Sequence, residues 1–267
     1  MLISLDIGNT SVSFALFDDS ISGDTLVMAS KISYTKNRSA DEYAVLIKSI
    51  IDLKLGRSNY VIDSAAISSV VPSITDTIIQ TAEIISNSKP FIIGSGIKTG
   101  FKIGINDPAS LGTDIVSNVA AALNVCEAPF IVFDAGTANT ITYVDETHNL
   151  IGTVITPGIR ISAEALCKNA ELLDSISLDN PATDLIGKST VDSMRSGIIY
   201  GTSLMLDGYI RNIRENHKST DSDNKLSLIA TGEFSRLITA NCRNKFTVDE
   251  HLTHRGIASL YYKNTRK

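Results

Sequence analysis

Two carboxylates in this chain stand at the ends of apolar runs, and each begins the same short pattern. Residues 2–5 lead into Asp6-Ile7-Gly8-Asn9-Thr10, and residues 130–133 lead into Asp134-Ala135-Gly136-Thr137. A carboxylate at the end of a buried strand is costly unless its charge is compensated, and a bound cation is the usual solution. The glycine lets the backbone approach a ligand closely, while the Thr137 hydroxyl and nearby amides can face a phosphate. The pattern therefore indicates a site for phosphate and a cation.

A single Asp-x-Gly turn carries little information, because Asp and Gly dominate ordinary hairpin turns. Here the turn occurs twice, roughly half a chain apart, and each copy lies between two stretches with the composition of strands, such as residues 11–17 and 140–144. Two copies in matched context predict a duplicated fold with two phosphate loops that face each other. They favour nucleotide binding over a pair of plain hairpins.

Two further positions are candidates for the same chemistry. Gly112-Thr113-Asp114 opens a predicted helix whose apolar face continues through Ile115 and Val119. An Asp in the first turn is favoured by the helix dipole, so the spacing leaves open whether Asp114 is a helix-start residue or a functional carboxylate. Farther along, a predicted strand over residues 226–230 delivers Thr231-Gly232-Glu233 to the start of a helix. A strand-glycine-helix arrangement of this kind could hold an adenosine or phosphate group.

The elements that must position these residues alternate between strands and helices. Ser39 and Glu42 match a capping box at the start of a helix with an apolar stripe. Other stripes and apolar runs predict further helices over residues 74–85, 161–173, 191 to about 213 and 254–262, and further strands over residues 61–71 and 91–94. The alternation predicts an α/β protein.

Composition excludes several classes of protein. The chain has 267 residues, of which 43% are hydrophobic and 20% charged, and this is typical of a globular protein. A net charge of −5 gives no support for a nucleic-acid-binding surface. No apolar run approaches the ~20 residues that span a bilayer, and no basic region precedes the first apolar stretch, so neither a membrane anchor nor a signal peptide is predicted.

The cysteines and histidines do not form metal-binding patterns. Cys126, Cys167 and Cys242 lie far apart without Cys-x-x-Cys spacing, which disfavours a metal cluster or a disulfide framework and fits the reducing cytoplasm. The four histidines lie in polar or terminal segments, and we interpret them as surface residues: His148, His217, His251 and His254.

Taken together, the motifs resemble those of the type III pantothenate kinases, and the resemblance spans nearly the whole chain. These enzymes belong to the actin/hexokinase-like superfamily. The motifs that carry the resemblance occur in the expected order: Asp6–Thr10, Leu111–Asp114, Asp134–Ala138, Gly152–Gly158, Gly187–Gly197 and Ala230–Gly232.

The resemblance implies an α/β fold made of duplicated ribonuclease-H-like (actin-like ATPase) lobes with an ATP cleft between them, with lobes over residues 1–117 and 118–267. It implies phosphoryl transfer from ATP to the hydroxyl of pantothenate, the first committed step toward coenzyme A. It also implies a cytoplasmic homodimer whose acceptor pocket is close to the subunit interface.

The resemblance assigns roles to individual residues. Asp114 is implied as the general base, and Asp134 as the ligand of a monovalent cation, K⁺ or NH₄⁺. The implied ligands of the ATP phosphates and Mg²⁺ are Asp6, Ile7, Gly8, Asn9, Thr10, Ser11, Val12 and Ser13, and ATP is also contacted by Gly136, Thr137 and Gly232. The implied acceptor-binding residues are Gly112, Thr113, Asp114, Ile115 and Thr190.

The chain departs from the family pattern at several of these positions. Ile115 stands where the family usually has an Arg after the general base. Without that guanidinium the site loses a charge-assisted hydrogen bond to a carboxylate, an interaction of roughly 1.5–3 kcal/mol. Glu233 would repel phosphates if it pointed toward them. Other replacements are Ser13 for Lys, Ile105 for Tyr and Thr142 for Asp. Two alternatives therefore stay open: a kinase for another small alcohol, or a nucleotide-binding protein with little or no kinase activity.

Overall fold

The computed structural model describes residues 1–18, 25–56, 59–178, 184–216 and 226–266. The chain forms two compact units. Unit 1 comprises Met1–Lys102, Asn106–Asn124 and His251–Lys267, and unit 2 comprises Ile103–Ile105 and Val125–Glu250. The C-terminal segment His251–Lys267 thus belongs to unit 1, together with the N-terminal strands. The lobes expected from the sequence, residues 1–117 and 118–267, place this segment in the second lobe.

The elements alternate along the chain as the hydrophobic pattern predicts. A short 3-10 helix (Pro108–Ser110) lies between the second and third α-helices. In chain order the strands and helices are β1 (Leu2–Ile7), β2 (Ser11–Asp18), β3 (Thr25–Ser33), α1 (Ala40–Leu55), β4 (Ser64–Ser69), α2 (Pro72–Ser86), β5 (Phe91–Ile92), β6 (Lys102–Ile103), α3 (Thr113–Ala122), β7 (Phe130–Ala135), β8 (Ala138–Val144), β9 (Asn149–Pro157), α4 (Ile159–Asn169), α5 (Thr190–Asn216), β10 (Ser227–Thr231), α6 (Ser235–Thr239), β11 (Thr247–Val248) and α7 (Leu252–Thr265).

Unit 1 is built on a five-stranded sheet in the order β3-β2-β1-β4-β5. The first three strands of that order are antiparallel, and β4 and β5 continue in parallel with β1. Side chains alternate across β1, so Leu5 and Ile7 pack in the cluster that includes Ile47 of α1 and Ile78 of α2. Asp6 therefore lies on the opposite face of the sheet, the face that α3 and α7 cover.

Unit 2 repeats this plan. Its sheet has the order β11-β10-β7-β8-β9-β6, in which β7, β8 and β9 are antiparallel while β10 and β11 run parallel to β7. Apart from the added edge strand β6, this is the arrangement of unit 1 with corresponding strands in the same places. The predicted duplication is confirmed, and each Asp-x-Gly turn joins the first two strands of its sheet.

Local sequence accounts for the start of α1. Ser39 Oγ accepts a hydrogen bond from the Glu42 backbone N–H at 3.3 Å, and Glu42 Oε2 accepts one from the Ser39 N–H at 2.7 Å. The predicted capping box is therefore present. Gly56, in the left-handed conformation with φ of 63°, ends the helix.

Three local predictions were wrong in detail. Residues 61–63 precede β4 rather than extending it, and α4 begins and ends earlier than the predicted helix over residues 161–173. His254 is buried with 6% of its surface exposed, whereas we interpreted it as a surface residue. Its Nδ1 atom lies 2.8 Å from Ser4 Oγ, so contact with β1 compensates for burial of the ring. His217 lies outside the described residues.

No helix in the described part of the chain is both long enough and apolar enough to cross a membrane.

Candidate active site

The first Asp-x-Gly turn is a tight hairpin between β1 and β2. Asp6 pairs in register with Ser13, and the Gly8 N–H donates to the Ser11 carbonyl oxygen at 3.0 Å. Ser13 Oγ lies 3.4 Å from the Asp6 carbonyl oxygen and 3.5 Å from Asp6 Oδ2. The half-buried Asp6 carboxylate thus stands at the base of the turn.

The predicted phosphate-binding residues of this turn fall into two groups. Ile7 and Val12 have no exposed surface, so their side chains belong to the core and only their backbone can serve a ligand. Asn9 and Thr10 are exposed at the tip of the turn, flanked by the partly exposed Gly8 and Ser11. The accessible part of the loop is therefore its glycine, its polar side chains and its amides.

Asp114 occupies the first turn of α3, as predicted. Its Oδ1 atom accepts a hydrogen bond from the Ile115 N–H at 2.8 Å, and burial raises the pKa of its carboxyl group above the ordinary value. Gly112 is the N-cap, and a Cβ atom there would collide with Asp114 Oδ1. A carboxylate with a raised pKa that is also partly open to solvent has the properties of a general base.

The residues on either side of Asp114 have structural partners. The Thr113 hydroxyl lies 3.0 Å from Ser68 Oγ and donates to the Ser69 carbonyl oxygen at 3.1 Å, so it is tied to the end of β4. Ile115 is buried, with 6% of its surface exposed. Ser68 is the register partner of Asp6, and this pairing brings the first turn of α3 close to the first Asp-x-Gly turn.

The second Asp-x-Gly turn has the same hairpin geometry in unit 2. Asp134 pairs in register with Thr140, and the Gly136 N–H donates to the Ala138 carbonyl oxygen at 3.2 Å. The Gly158 N–H donates to the Thr137 carbonyl oxygen at 3.1 Å. A Cβ atom on Gly158 would collide with the Gly136 and Thr137 carbonyl oxygens, so a glycine is required where the start of α4 packs on the loop.

A third loop, after β10, completes the group in unit 2. Thr231 pairs in register with Asp134, which brings Gly232 beside it. Gly232 has φ of 92°, and a Cβ atom there would lie 2.5 Å from Asp134 Oδ1 and 2.7 Å from the Ala135 nitrogen. Asp134, Gly136, Thr137 and Gly232 are therefore brought together, although they lie up to about a hundred residues apart in sequence.

An arginine that the sequence motifs did not identify lies beside this group. Arg160 Nη2 is 2.7 Å from Glu233 Oε1, and its guanidinium carbon is 5.3 Å from the centre of the Phe234 ring. The Glu233 carboxylate is thus compensated by a cation. The sequence signal for Arg160 is the Pro157-Gly158 turn that precedes it. This turn places Arg160 in the first turn of α4, whose start packs on the second loop.

Thr190 is the first residue of α5. It lines an apolar cavity of about 840 Å³ that α4 and α5 enclose with the end of β9. The other lining residues are mostly aliphatic or small, and they include Ile161, Met194, Gly197 and Gly201. The structure does not bring Thr190 together with Asp134 or Gly232 by any described contact.

The donor atoms suit some cations better than others. Within the described residues there is no group of three or more His, Cys, Asp or Glu side chains that could enclose a metal ion. The single Asp6 carboxylate at the end of β1 suits Mg²⁺, which is commonly bound through one or two carboxylates and the phosphates of a substrate. The Asp6 carboxylate therefore fits a magnesium ion that is bound together with a nucleotide.

Duplicated sheets of this topology, each with an Asp-x-Gly turn between its first two strands, define the actin-like ATPase class of ribonuclease-H-like proteins. Comparison with known proteins identifies a family within this class. A sequence model described as "Type III pantothenate kinase" matches residues 2–212. This chain belongs to the type III pantothenate kinase family.

Individual relatives are similar in sequence to this chain over its full length. It is 34% identical over 266 residues to a type III pantothenate kinase from an Exiguobacterium species, covering 100% of both chains. It is 36% identical over 264 residues to one from Shouchella clausii, covering 99% of this chain and 100% of that one. A protein from Campylobacter jejuni described as a Baf family transcriptional activator has the same fold, with a TM-score of 0.57, 18% identity and coverage of 99% and 100%.

Proposed function

We propose that this protein transfers the γ-phosphoryl group of ATP to the hydroxyl of pantothenate, the first step of coenzyme A biosynthesis. The observation that carries the proposal is the full-length relationship to type III pantothenate kinases together with a half-buried Asp114 in the first turn of α3. This is the carboxylate that the motif comparison aligns with the general base.

Asp114 acts as the base. Its carboxylate accepts the proton of the acceptor hydroxyl while a bond forms between that oxygen and the γ-phosphorus. The bond from the γ-phosphorus to the oxygen bridging to the β-phosphate breaks, and ADP leaves. Such a transfer depends on positioning and charge stabilisation, and burial makes the Asp114 carboxylate a better proton acceptor than an exposed one.

The loops hold the nucleotide. In unit 1, the amides and polar side chains of Gly8–Ser11 bind phosphate oxygens, and Asp6 is a ligand for Mg²⁺. In unit 2, Gly136, Thr137 and Gly232 contact ATP, and Asp134 binds a monovalent cation, K⁺ or NH₄⁺. Mg²⁺ bound with ATP neutralises charge on the phosphates during transfer. Arg160 adds a cation beside the second loop, where it offsets the charge of Glu233.

The acceptor lies beside Gly112, Thr113 and Asp114. The buried Ile115 offers no cation to a carboxylate, so other groups must hold that end of pantothenate. Thr190 would contact the acceptor from its position on α5. The family resemblance implies that the acceptor pocket is close to a subunit interface.

A homodimer is supported by the exposed apolar surface around α4 and α5. Several large aliphatic side chains are exposed there: Ile161 is 41% exposed, Leu166 41%, Leu185 55%, Ile186 78% and Leu204 49%. A second copy of the chain would cover this surface. Sedimentation velocity should then show a dimer, and Leu204→Lys should shift the population toward monomers.

The proposed reaction is tested by ATP consumption with Mg²⁺ and K⁺, with and without pantothenate, for the wild-type chain and for Asp114→Asn. Turnover that requires both pantothenate and Asp114 would support the proposal. ATP consumption only with other alcohols would indicate a different acceptor. Nucleotide binding without turnover on any alcohol would indicate a non-catalytic member of the family.

A further inference from the structure

A pair of hydroxyl groups joins strand β4 to the first turn of α3 in unit 1. Ser68 of β4 is the register partner of Asp6 of β1, and it is completely buried. Its Oγ atom lies 3.0 Å from Thr113 Oγ1, and Thr113 immediately precedes Asp114. The Thr113 hydroxyl proton is donated to the Ser69 carbonyl oxygen at 3.1 Å. Because a hydroxyl has one proton, Ser68 must be the donor to Thr113.

This hydroxyl pair replaces the usual anchor at the start of a helix. The N-cap of α3 is Gly112, which has no side chain to accept a hydrogen bond from the first turn. Thr113 is instead held on two sides: its hydroxyl binds the end of β4, and its carbonyl oxygen accepts a hydrogen bond from Ser117 Oγ at 2.7 Å. The first turn of α3 is therefore fixed relative to the sheet rather than by its own cap.

We propose that Ser68 is a positioning residue for phosphoryl transfer: through Thr113 it fixes the first turn of α3, so that the Asp114 carboxylate keeps its place relative to Asp6. The inference rests on the general-base role of Asp114 in the proposed function. It also gives Thr113 a different role from acceptor binding, because its hydroxyl is hydrogen-bonded to Ser68 and Ser69 at the end of β4. Thr113 thus serves the site by holding Asp114, not by binding the acceptor through its hydroxyl.

The expected effect is on turnover rather than on nucleotide affinity. A displacement of about 1 Å at a reacting group can reduce the rate about 10²-fold. The Gly8–Ser11 turn lies at the end of β1 and does not depend on the Ser68 hydroxyl. Removing that hydroxyl should therefore lower kcat while leaving the KM for ATP nearly unchanged.

Four variants test the proposal. Ser68→Ala and Thr113→Val each remove one member of the pair, Thr113→Ser keeps the hydroxyl, and Ser68→Ala with Thr113→Val removes both. Ser86→Ala is the matched control, since Ser86 is a buried serine of unit 1 whose hydroxyl donates to the Ala82 carbonyl oxygen at 2.8 Å, away from Asp114. We expect kcat to fall roughly tenfold to a hundredfold in Ser68→Ala and in Thr113→Val.

The pattern among the variants separates positioning from simple destabilisation. Thr113→Ser should retain most of the activity, and the double variant should be no slower than either single variant. Ser86→Ala should have a normal kcat although it loses about as much stability as Ser68→Ala. An unchanged kcat in Ser68→Ala would overturn the proposal. So would multiplicative effects in the double variant, because they would mean that the two hydroxyls act independently.

A second measurement keeps this inference distinct from the proposed reaction. If the wild-type chain fails to turn over pantothenate, the reaction is wrong, and the Asp114 carboxyl is then followed by ¹³C NMR titration. Ser68→Ala should bring the pKa of Asp114 closer to its ordinary value, because a loosened first turn lets the carboxylate reach water. A pKa of Asp114 that is the same in Ser68→Ala and the wild-type chain would overturn the positioning role.

Discussion

Gly112 leaves open the space that the Asp114 carboxylate occupies. A side chain at position 112 would collide with Asp114 Oδ1, although the backbone of Gly112, with φ of −58°, is one that other residues adopt readily. A larger residue at position 112 would therefore displace the Asp114 carboxylate, whereas the backbone conformation does not itself require glycine. A substitution at position 112 should therefore affect catalytic activity more than the free energy of unfolding.

We expect Gly112→Ala to reduce kcat roughly tenfold to a hundredfold by displacing Asp114. The free energy of unfolding should fall by only about 1 kcal/mol or less, because alanine is a poorer N-cap than glycine while the backbone conformation suits both. Steady-state kinetics and urea unfolding measure the two effects. Gly208→Ala in α5, where a Cβ atom meets nothing within 4 Å, should raise stability without changing kcat. Normal kcat in Gly112→Ala would show that Asp114 is not displaced.

The pH dependence of turnover should reflect the burial of Asp114. A general base must be ionised, and burial raises the pKa of this carboxyl above the ordinary 3.8. Activity should therefore be full at neutral pH and fall as the pH decreases through that raised pKa. A kcat profile measured at saturating substrate reports the acid limb. A limb at or below pH 3.8 would contradict the raised pKa.

Asp114→Asn tests the role of the same carboxylate directly. The ionised carboxylate is unfavourable in a half-buried site, so the asparagine variant should be inactive yet at least as stable as the wild-type chain near neutral pH. Loss of activity together with unfolding would not separate catalysis from folding, and thermal unfolding of the variant therefore accompanies the kinetics.

Gly232→Ala should weaken nucleotide binding. The substitution combines an unfavourable φ of 92° with a collision against Asp134 Oδ1 and the Ala135 backbone, so the second loop must shift. We expect a loss of stability of about 1–3 kcal/mol and a KM for ATP raised roughly tenfold or more. Gly56→Ala is the matched control, since Gly56 also has a positive φ but an added Cβ atom meets nothing. A KM for ATP that changes equally little in both variants would contradict the role of Gly232.

His254 should make the protein sensitive to acid. Burial lowers its pKa from 6.5 to about 3, with a smaller contribution from His251. The stability that the neutral ring contributes is therefore fully present above pH 6.5 and is lost as the pH falls toward 3. Urea unfolding between these pH values should show a smaller decrease for His254→Gln, which keeps a polar partner for Ser4 but does not titrate. Parallel curves for the two proteins would contradict this account.

The sequence by itself determined the features that depend on neighbouring residues. The capping box of Ser39 and Glu42, the apolar stripes of the helices and the two Asp-x-Gly turns are local patterns, and the structure contains each of them. Repetition of one turn in matched context was also enough to predict a duplicated fold. The motif order pointed to the same kinase family that the comparisons identify.

The tertiary structure decided which distant residues share a site. Ser68 meets Thr113 only because β4 pairs with β1 and α3 returns to the end of that strand. Arg160 meets Glu233 because α4 begins at the second loop, close to the end of β10, and His254 is buried because α7 packs on the first sheet. Contacts of this kind join residues tens to hundreds of positions apart, and they depend on chain closure and packing that no local pattern encodes.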